Sequence, residues 1–346
     1  MNKSILITGA TSGIGQAATR ALSSRGYDVF ATYRDPRDRA ALAGLPGVHP
    51  VQLDVRDPLQ IRQAVADIDD AAGTDGLYAV INNAGITYTA PFEYAQLERV
   101  REIIDINLMA PYLVTQACLP MLRRHSQSHP VKARVINVAS WSGLMASPFI
   151  GFYNATKYGL IGLTESMYYD LRLLDIHTVL AIPGITKTPL LTKTTGAALA
   201  SLDGIPAEDR DRYLPYFEHF TTMSQSSDNM RMLQTPAQVA ARIAAIAETR
   251  KPRFRYNLAA DAKLVDGIVT RLLPFRARAA INRRMYRLDG PAPQTRSALA
   301  AAMKPADEAA ASVRPGREVL SALPRPGRHP VAPPQSSRPG KGSAHD

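Results

Sequence analysis

Residues 6–15 read "LITGATSGIG". A short apolar run, a threonine and then Gly9, Gly13 and Gly15 place a strand, a tight turn and a helix start in immediate succession. Glycines at such a turn let a pyrophosphate approach the backbone and let the following helix pack closely on the strand. The helix N-terminus then offers free N–H groups and the positive end of its dipole. The spacing is G-x-x-x-G-x-G, which differs from the G-x-G-x-x-G of the commonest dinucleotide-binding turn.

Working outward, short β-branched runs alternate with helix-length segments over the first 260 residues. Strands are expected at 3–8, 28–33, 48–55, 77–83, 133–140, 177–182 and 255–259. Between them, 97–123 carries Leu97, Val100, Ile103, Ile104, Leu108, Leu113, Cys118 and Leu122 on a helical period. Pro111 and Pro120 are expected to bend or end that helix. Strands alternating with helices predict an α/β fold. It would be a single-domain, Rossmann-like, doubly wound parallel sheet of about seven strands with helices on both faces.

The formal net charge of +11 is not spread evenly. Residues 1–250 carry 23 basic and 23 acidic side chains, and residues 251–346 carry 18 and 7. The basic excess therefore describes the C-terminal part and says nothing about partners of the main domain. Residues 261–290 read as basic amphipathic helices broken at Pro274. They are candidates for weak contact with an acidic membrane surface, for cover over a sheet edge, or for a subunit contact. Residues 291–346 hold ten of the 26 prolines, and that Pro/Ala/Arg-rich composition predicts a disordered tail with no specific nucleic-acid role. The single cysteine, Cys118, excludes an intrachain disulfide and fits a reducing compartment. No apolar run reaches the length of a membrane span, and the opening residues hold too short a run for a signal segment, so a cytoplasmic protein is expected.

"TGATSGIG" (8–15) resembles the T-G-x-x-x-G-x-G signature of the short-chain dehydrogenase/reductase family, whose members use nicotinamide cofactors. The resemblance assigns cofactor contacts to Thr8, Gly9, Ser12, Gly13, Ile14 and Gly15. "LDV" (53–55) matches the adenine-contacting segment through Asp54 and Val55, and "NNAG" (82–85) matches the adenosine-side motif through Asn83, Ala84 and Gly85. At the end of the second strand, Tyr33 and Arg34 stand where a carboxylate would bind the ribose hydroxyls of NAD(H). Arg34 can instead take a 2′-phosphate with its planar fork, which favours NADP(H). Asp35 is still close enough in sequence to reach the ribose.

"FYNATKYG" (152–159) carries Tyr153 and, one helical turn on, Lys157; Ser140 lies 13 residues upstream of Tyr153. Together with Asn107 of "DIN" (105–107) these resemble the family's catalytic set. A phenol can protonate the oxygen that hydride delivery makes negative, although its ordinary pKa is about 10. A lysine ammonium on the same helix face is expected to pull that value down. Ser140 would hydrogen-bond the substrate oxygen, and Asn107, by resemblance, would hold a water linking Lys157 to solvent. "IPGITKTP" (182–189) resembles the nicotinamide-side segment, assigning contacts to Pro183, Gly184 and Thr188, with Thr186 replacing the usual valine. No metal site is expected; His125 and His129 have i,i+4 spacing but sit in a polar stretch.

These readings predict an NADP(H)-dependent oxidoreductase that interconverts a carbonyl and an alcohol. The alternative is a cofactor-binding regulatory or scaffold protein on the same fold. Leu190, Leu191, Leu214, Tyr216, Phe217, Phe220 and Met223 in a lid at 189–234 suggest a lipophilic substrate, as do Leu144, Met145, Phe149 and Phe152. "ETRKPRFRYNLAADAKLV" (248–265) resembles the 17β-hydroxysteroid and retinol dehydrogenase branch. The family also implies a homodimer or homotetramer.

Overall fold

A computed structural model describes residues 3–191, 201–226 and 233–288. The tail at 291–346, and Met223 of the lid as a side chain, lie outside the described residues. Seven parallel strands form one sheet in the order β3-β2-β1-β4-β5-β6-β7. They are β1 (Ser4–Ile7), β2 (Asp28–Tyr33), β3 (Val48–Gln52), β4 (Ala79–Asn82), β5 (Arg134–Val138), β6 (His177–Ile182) and β7 (Arg255–Asn257). The order reverses between β1 and β4, where Leu6 pairs with Val80. In open sheets of this kind the crevice at the carboxyl ends of the strands flanking that reversal is where ligands bind.

Strands β4 and β5 are buried along their whole length and β1 from Ile5 onward, as expected of runs such as Ile5–Ile7 and Val135–Val138 that are covered on both faces. On one face Ile5, Ile7 and Ile81 pack with Ala18 and Leu22 of α1 (Gly13–Ser23). Val239, Ile243 and Ala247 of a later helix, Pro236–Glu248, complete that cluster. On the other face Leu6, Val80 and Val135 pack with Ile61 and Ile68 of α2 (Pro58–Ala72). Between strands β4 and β5 the chain forms α3 (Leu97–Ile104), a π turn (Asp105–Met109) and α4 (Ala110–Ser128). Val114, Cys118 and Leu122 of α4 join the second cluster.

The expected helix at 97–123 is thus two helices joined by the π turn. Pro111 follows the π turn, at the start of α4, and Pro120 stays inside the helix without ending it. Five strands are shorter at their carboxyl ends than the sequence suggests: β3, β4, β5, β7 and β1 stop at Gln52, Asn82, Val138, Asn257 and Ile7. In the first three cases the residues that follow leave the ladder to line the cavity described below.

α5 (Gly151–Arg172) carries the Tyr-x-x-x-Lys pair, and α6 (Ala207–Ser226) lies within the segment read from the sequence as a lid. α7 is Pro236–Glu248, started by a capping box between Thr235 and Gln238. Beyond β7 come α8 (Ala260–Leu264), a second π turn (Val265–Val269), a short turn of helix and then α9 (Phe275–Met285), with Pro274 at the break. Ala262 and Val265 are buried against Leu180 and Ile182, so this stretch packs into the core next to β6.

Candidate active site

One cavity of about 600 Å³ runs along the carboxyl ends of the central strands and joins the glycine turn to the Tyr-x-x-x-Lys pair. Gly9 and Gly13 both have positive φ, +66° and +54°, in the region that favours glycine. A Cβ on Gly9 would lie 2.8 Å from the Ala84 Cα, and one on Gly15 would lie 2.0 Å from the Gly9 carbonyl oxygen. The turn therefore depends on glycine for close approach of backbone to backbone. Ser12 caps α1 without bonding it through its side chain, and no acidic residue stands in the first turn. The helix start is a ready site for an anion.

Two of the expected cofactor residues act behind this surface. The Thr8 hydroxyl accepts from the backbone N–H groups of Asn83 (3.0 Å) and Ala84 (3.1 Å), and the Asn83 side chain donates back to the Thr8 and Gly9 carbonyls. Thr8 and Gly15 do not line the cavity; they latch the first turn to the loop after β4. Gly9, Ser12, Gly13, Ile14, Asn83, Ala84 and Gly85 do line it. Thr32 was not singled out in the sequence, yet its hydroxyl receives the Gly9 N–H at 3.1 Å and holds the turn from the other side.

At the far rim lie Arg34, Asp38, Asp54 and Val55. Asp35, considered for the ribose, is held by the Arg37 side chain at 3.0 Å and caps the short turn that follows. Those bonds from Arg37 bring its carboxyl down to about 2. Asp54 is likewise gripped by Arg56, whose hydrogen bonds hold its carboxyl below the usual range. Both acidic groups therefore carry a guanidinium of their own, while Arg34 extends into solvent at the rim.

At the other end, Ser140, Tyr153 and Lys157 line the same cavity. Ser140 follows β5, and its hydroxyl accepts the Ser142 N–H at 3.1 Å. Lys157 is buried; its Nζ donates to the Val138 carbonyl at 3.1 Å and stands 5.9 Å from the Tyr153 ring centre. Burial lowers the Lys157 ammonium from 10.5 to about 8. Burial also raises the Tyr153 phenol, with the neighbouring Ser140 hydroxyl opposing it. The downward pull of Lys157 expected from the sequence is not seen in the free protein, where loss of solvent around the phenol sets the direction.

Asn107 lies behind this pair, in the π turn. Its side chain donates to the Ile86 carbonyl and accepts the Ile86 N–H, both at 2.9 Å, and donates to the Thr156 hydroxyl at 3.1 Å. Thr156 in turn bonds the Tyr153 carbonyl at 2.8 Å. A Cβ on Gly85 would meet the Asn107 Oδ1 at 3.4 Å and the Lys157 Nζ at 3.7 Å, so Gly85 is the thin partition between them. A π turn at this place fits a local distortion kept for function.

Pro183, Gly184 and Thr188 line the nicotinamide-side wall assigned from the sequence. Thr188 and Pro189 lie against the glycine turn, where a Cβ on Gly13 would meet the Thr188 Cγ2 at 3.3 Å. Thr186 turns its hydroxyl onto the Gly184 carbonyl at 3.0 Å and serves that local bend.

Of the apolar residues proposed for a substrate pocket, Leu190, Leu191 and Phe220 reach the cavity. Leu144 and Met145 belong to the buried core, and Phe149 packs on Phe217 at 4.4 Å between ring centres. Phe152 stacks on Phe92. The walls that sequence reasoning missed include Trp141, Ser147, Ile150, Met285 and Tyr286. The last two come from the end of α9, far along the chain, and no local pattern marks them. Tyr286 stacks on Phe220 and shares a cluster with Ile150 and Tyr153. Helix α6 is held to the loop after β4 by Tyr94, which donates to Asp209 at 2.5 Å, and by Tyr213, which donates to Glu93.

His125 and His129 stack on each other at 4.3 Å, and His125 Nδ1 meets the Asp75 carbonyl at 3.0 Å. Burial, then the neighbouring His129, lowers His125 to about 4. The pair lies at the end of α4, where β4 and β5 begin, away from the cavity.

The glycine turn and the Ser140, Tyr153 and Lys157 cluster share one cavity at the carboxyl edge of a parallel sheet, the arrangement the sequence leads one to expect of a nicotinamide-dependent oxidoreductase. The short chain dehydrogenase family model matches residues 3–198. The chain belongs to the short-chain dehydrogenase/reductase family, in its retinol dehydrogenase-like branch. It is 28% identical over 298 residues to human retinol dehydrogenase 5, covering 80% of this chain and 91% of that protein. It is 27% identical to the NADPH-dependent 3-dehydrocapnine reductase of Ornithobacterium rhinotracheale, covering 78% of this chain and 93% of that one. A short-chain dehydrogenase structure from Streptomyces avermitilis superposes with a TM-score of 0.64 at 26% identity, covering 84% of this chain and 98% of that one.

Proposed function

We propose that this chain is an NADP(H)-dependent reductase or dehydrogenase that interconverts a ketone or aldehyde and an alcohol on a lipophilic substrate. The observation that carries the reading is the single cavity that joins the Gly9–Gly15 turn to Ser140, Tyr153 and Lys157. The residues fit the cofactor: the glycine turn has no room for side chains, and the start of α1 has no competing acid. Bound there, the nicotinamide supplies or accepts the hydride.

In the reducing direction, the carbonyl oxygen sits between the Ser140 hydroxyl and the Tyr153 phenol. Ser140 donates to the oxygen as negative charge develops, and Tyr153 delivers its proton to that oxygen as the C–O bond becomes single. Lys157 stabilises the phenolate left behind. Asn107 holds the π turn and the loop at Ile86 so that Lys157 and Tyr153 keep their spacing, and a water at this turn would return the proton from solvent. Phe220, Met285 and Tyr286 give the substrate end an apolar wall. A screen of NADPH consumption over steroid, retinoid, fatty-acyl and small aromatic carbonyls tests this reading. NADPH binding without consumption on any of them would favour the regulatory or scaffold alternative.

NADP(H) preference rests on Arg34, because Asp35 and Asp54 are each occupied by an arginine. Asp38 on the same rim is the group that would favour NAD(H). Arg34→Ala is expected to cut kcat/KM for NADPH by about tenfold or more, the size of a charge-assisted bond to phosphate, and to change that for NADH by less than about twofold. Equal losses with both cofactors would remove the assignment. The NADPH-dependent name of the Ornithobacterium relative agrees with this preference.

The pH dependence follows from Lys157. Burial lowers its pKa from 10.5 to about 8, so the cation is present below that value and lost above it. Because kcat/KM reports the free enzyme, kcat/KM for NADPH is expected to fall as pH rises through about 8. A profile flat to pH 9 would contradict this role. A homodimer or homotetramer, the family's habit, is the assembly to look for by light scattering.

A further inference from the structure

Ser147 lies on the loop before α5, is only 6% exposed and lines the cavity. Its hydroxyl makes no hydrogen bond to any described residue. A buried hydroxyl without a partner is costly, so its place in the wall calls for a reason. The Tyr286 phenol, at the end of α9, lines the same cavity beside it. Burial raises that phenol, with the Ser147 hydroxyl opposing the shift. Both groups are therefore uncharged near neutral pH, and each can donate and accept. The two are also held in place from behind. The Ser147 carbonyl accepts the Asn154 side chain at 2.8 Å, which fixes the loop to the first turn of α5. The carbonyl before it, of Ala146, accepts the Asn282 side chain at 2.7 Å. Asn282 lies one helical turn before Tyr286, whose N–H donates to the Asn282 carbonyl at 2.9 Å. One asparagine thus ties the Ser147 loop to the turn that carries Tyr286. The Tyr286 ring stacks on Phe220 at 6.0 Å between centres, and the Met285 carbonyl lies 3.0 Å from His219 Nε2.

We propose that the Ser147 and Tyr286 hydroxyls form a second polar contact for the substrate, selecting a carbonyl compound that carries a further hydroxyl or carbonyl oxygen on its otherwise apolar body. The inference rests on the reductase reading above and narrows its substrate to hydroxyketones, diketones and the matching aldehydes. Ile150, Phe220 and Tyr286 form one cluster against which Tyr153 packs, so the hydroxyl pair stands on the substrate side of the proton donor. A plain hydrocarbon body would be served as well by alanine and phenylalanine at these two positions. A second oxygen on the substrate instead gives Ser147 the partner it lacks. A ligand without that oxygen leaves the hydroxyl buried and unpaired, and sites built this way discriminate strongly against the analogue that lacks the group. Because the loop and the helix turn are already fixed to each other, little ordering is needed when the oxygen arrives.

Acetophenone and its 2′-, 3′- and 4′-hydroxy derivatives test this, since they set a second oxygen at three distances from one carbonyl. With NADPH and the full chain, kcat/KM for the best hydroxy derivative is expected to exceed that for acetophenone by about tenfold or more, the size of one or two neutral hydrogen bonds. Ser147→Ala and Tyr286→Phe are each expected to lower that ratio by about fivefold, and the double variant to bring it near one. Each change removes a single oxygen, and a ratio is insensitive to any loss of folded protein. If the pair only props the wall, all four ketones lose together and the ratio stays, which overturns the proposal. Equal kcat/KM for all four with the unaltered protein overturns it as well. Calorimetric binding of the same ketones to the NADP⁺-loaded protein, where no hydride is available, separates this inference from the catalytic reading. Hydroxyl-dependent binding that both variants lose, without turnover of any ketone, would keep the subsite and reject the reductase. Binding equal for all four, or none, overturns the subsite whether or not NADPH is consumed.

Discussion

Tyr153→Phe is expected to lower kcat by about a thousandfold or more while leaving NADPH binding within about twofold, as read by single-turnover kinetics and by fluorescence titration of NADPH. The change removes one oxygen and keeps the ring that packs in the cluster of Ile150, Phe220 and Tyr286. The wall of the cavity therefore stays as it was. What disappears is the proton donor at the carbonyl oxygen, and general acid catalysis contributes about a hundredfold to ten-thousandfold. The large expected effect follows from the surroundings. Burial raises the phenol, so the proton is retained until charge develops on the substrate oxygen. Lys157 cannot replace it, because its Nζ is turned to the Val138 carbonyl. A Phe variant that keeps even a tenth of the rate would show that water or Ser140 supplies the proton and would reject the role given to Tyr153. A variant that also loses NADPH binding would mean that the phenol holds the cofactor, and the loss of rate could no longer be credited to proton transfer.

Much of this site can be seen in the chain because its parts are local patterns. The glycine turn, the Asn83–Gly85 loop and the Tyr153–Lys157 pair each sit within a few residues of one another, directly after a strand or on a helix. β-branched runs such as Val135–Val138 signal buried strands on their own. The places where strands end were less visible. Leu53 and Val55 look like continued strand, yet they leave the ladder to line the cavity, and alternation of side chains does not register where pairing stops. The π turn at Asp105–Met109 is also hidden, since it keeps a helical period and shows itself only in the bonds from Asn107 to Ile86. Tyr286 was out of reach for a different reason. It meets Tyr153 through tertiary packing across a long separation in sequence, and the arginine-rich stretch around it reads as a surface helix. The electrostatic reading of the Tyr–Lys pair needed burial, which spacing does not supply.

Arg134→Leu is expected to destabilise the fold by about 3 kcal/mol or more, a loss read as a fall of roughly 6 °C or more in Tm. Arg134 opens β5 and is fully buried. Among the described residues no carboxylate pairs with it. Its guanidinium instead donates to the carbonyls of Ala247 (2.9 Å) and Thr249 (2.6 Å), and to that of Lys132 (3.0 Å). The first two belong to the end of α7, where helix carbonyls lack partners within the helix and the dipole is negative. The Tyr78 ring lies 4.4 Å from the guanidinium carbon, and the Tyr78 hydroxyl donates to the same Ala247 carbonyl at 2.5 Å. A cation thus closes the seam between β5 and α7 without an anion, through carbonyl dipoles and a ring face. Leucine fills much of the volume but takes the guanidinium donor from the partly buried Thr249 and Lys132 carbonyls, at about 1–3 kcal/mol each, while the Ala247 carbonyl keeps the Tyr78 hydroxyl. Tyr78→Phe keeps the ring and drops only the hydroxyl bond, so about 1 kcal/mol is expected there. If the two variants lose the same small amount, the guanidinium contributes little and the seam is held by apolar packing alone. If Arg134→Leu melts far lower while Tyr78→Phe scarcely moves, the carbonyl cap is what holds α7 against the strand that leads to Ser140.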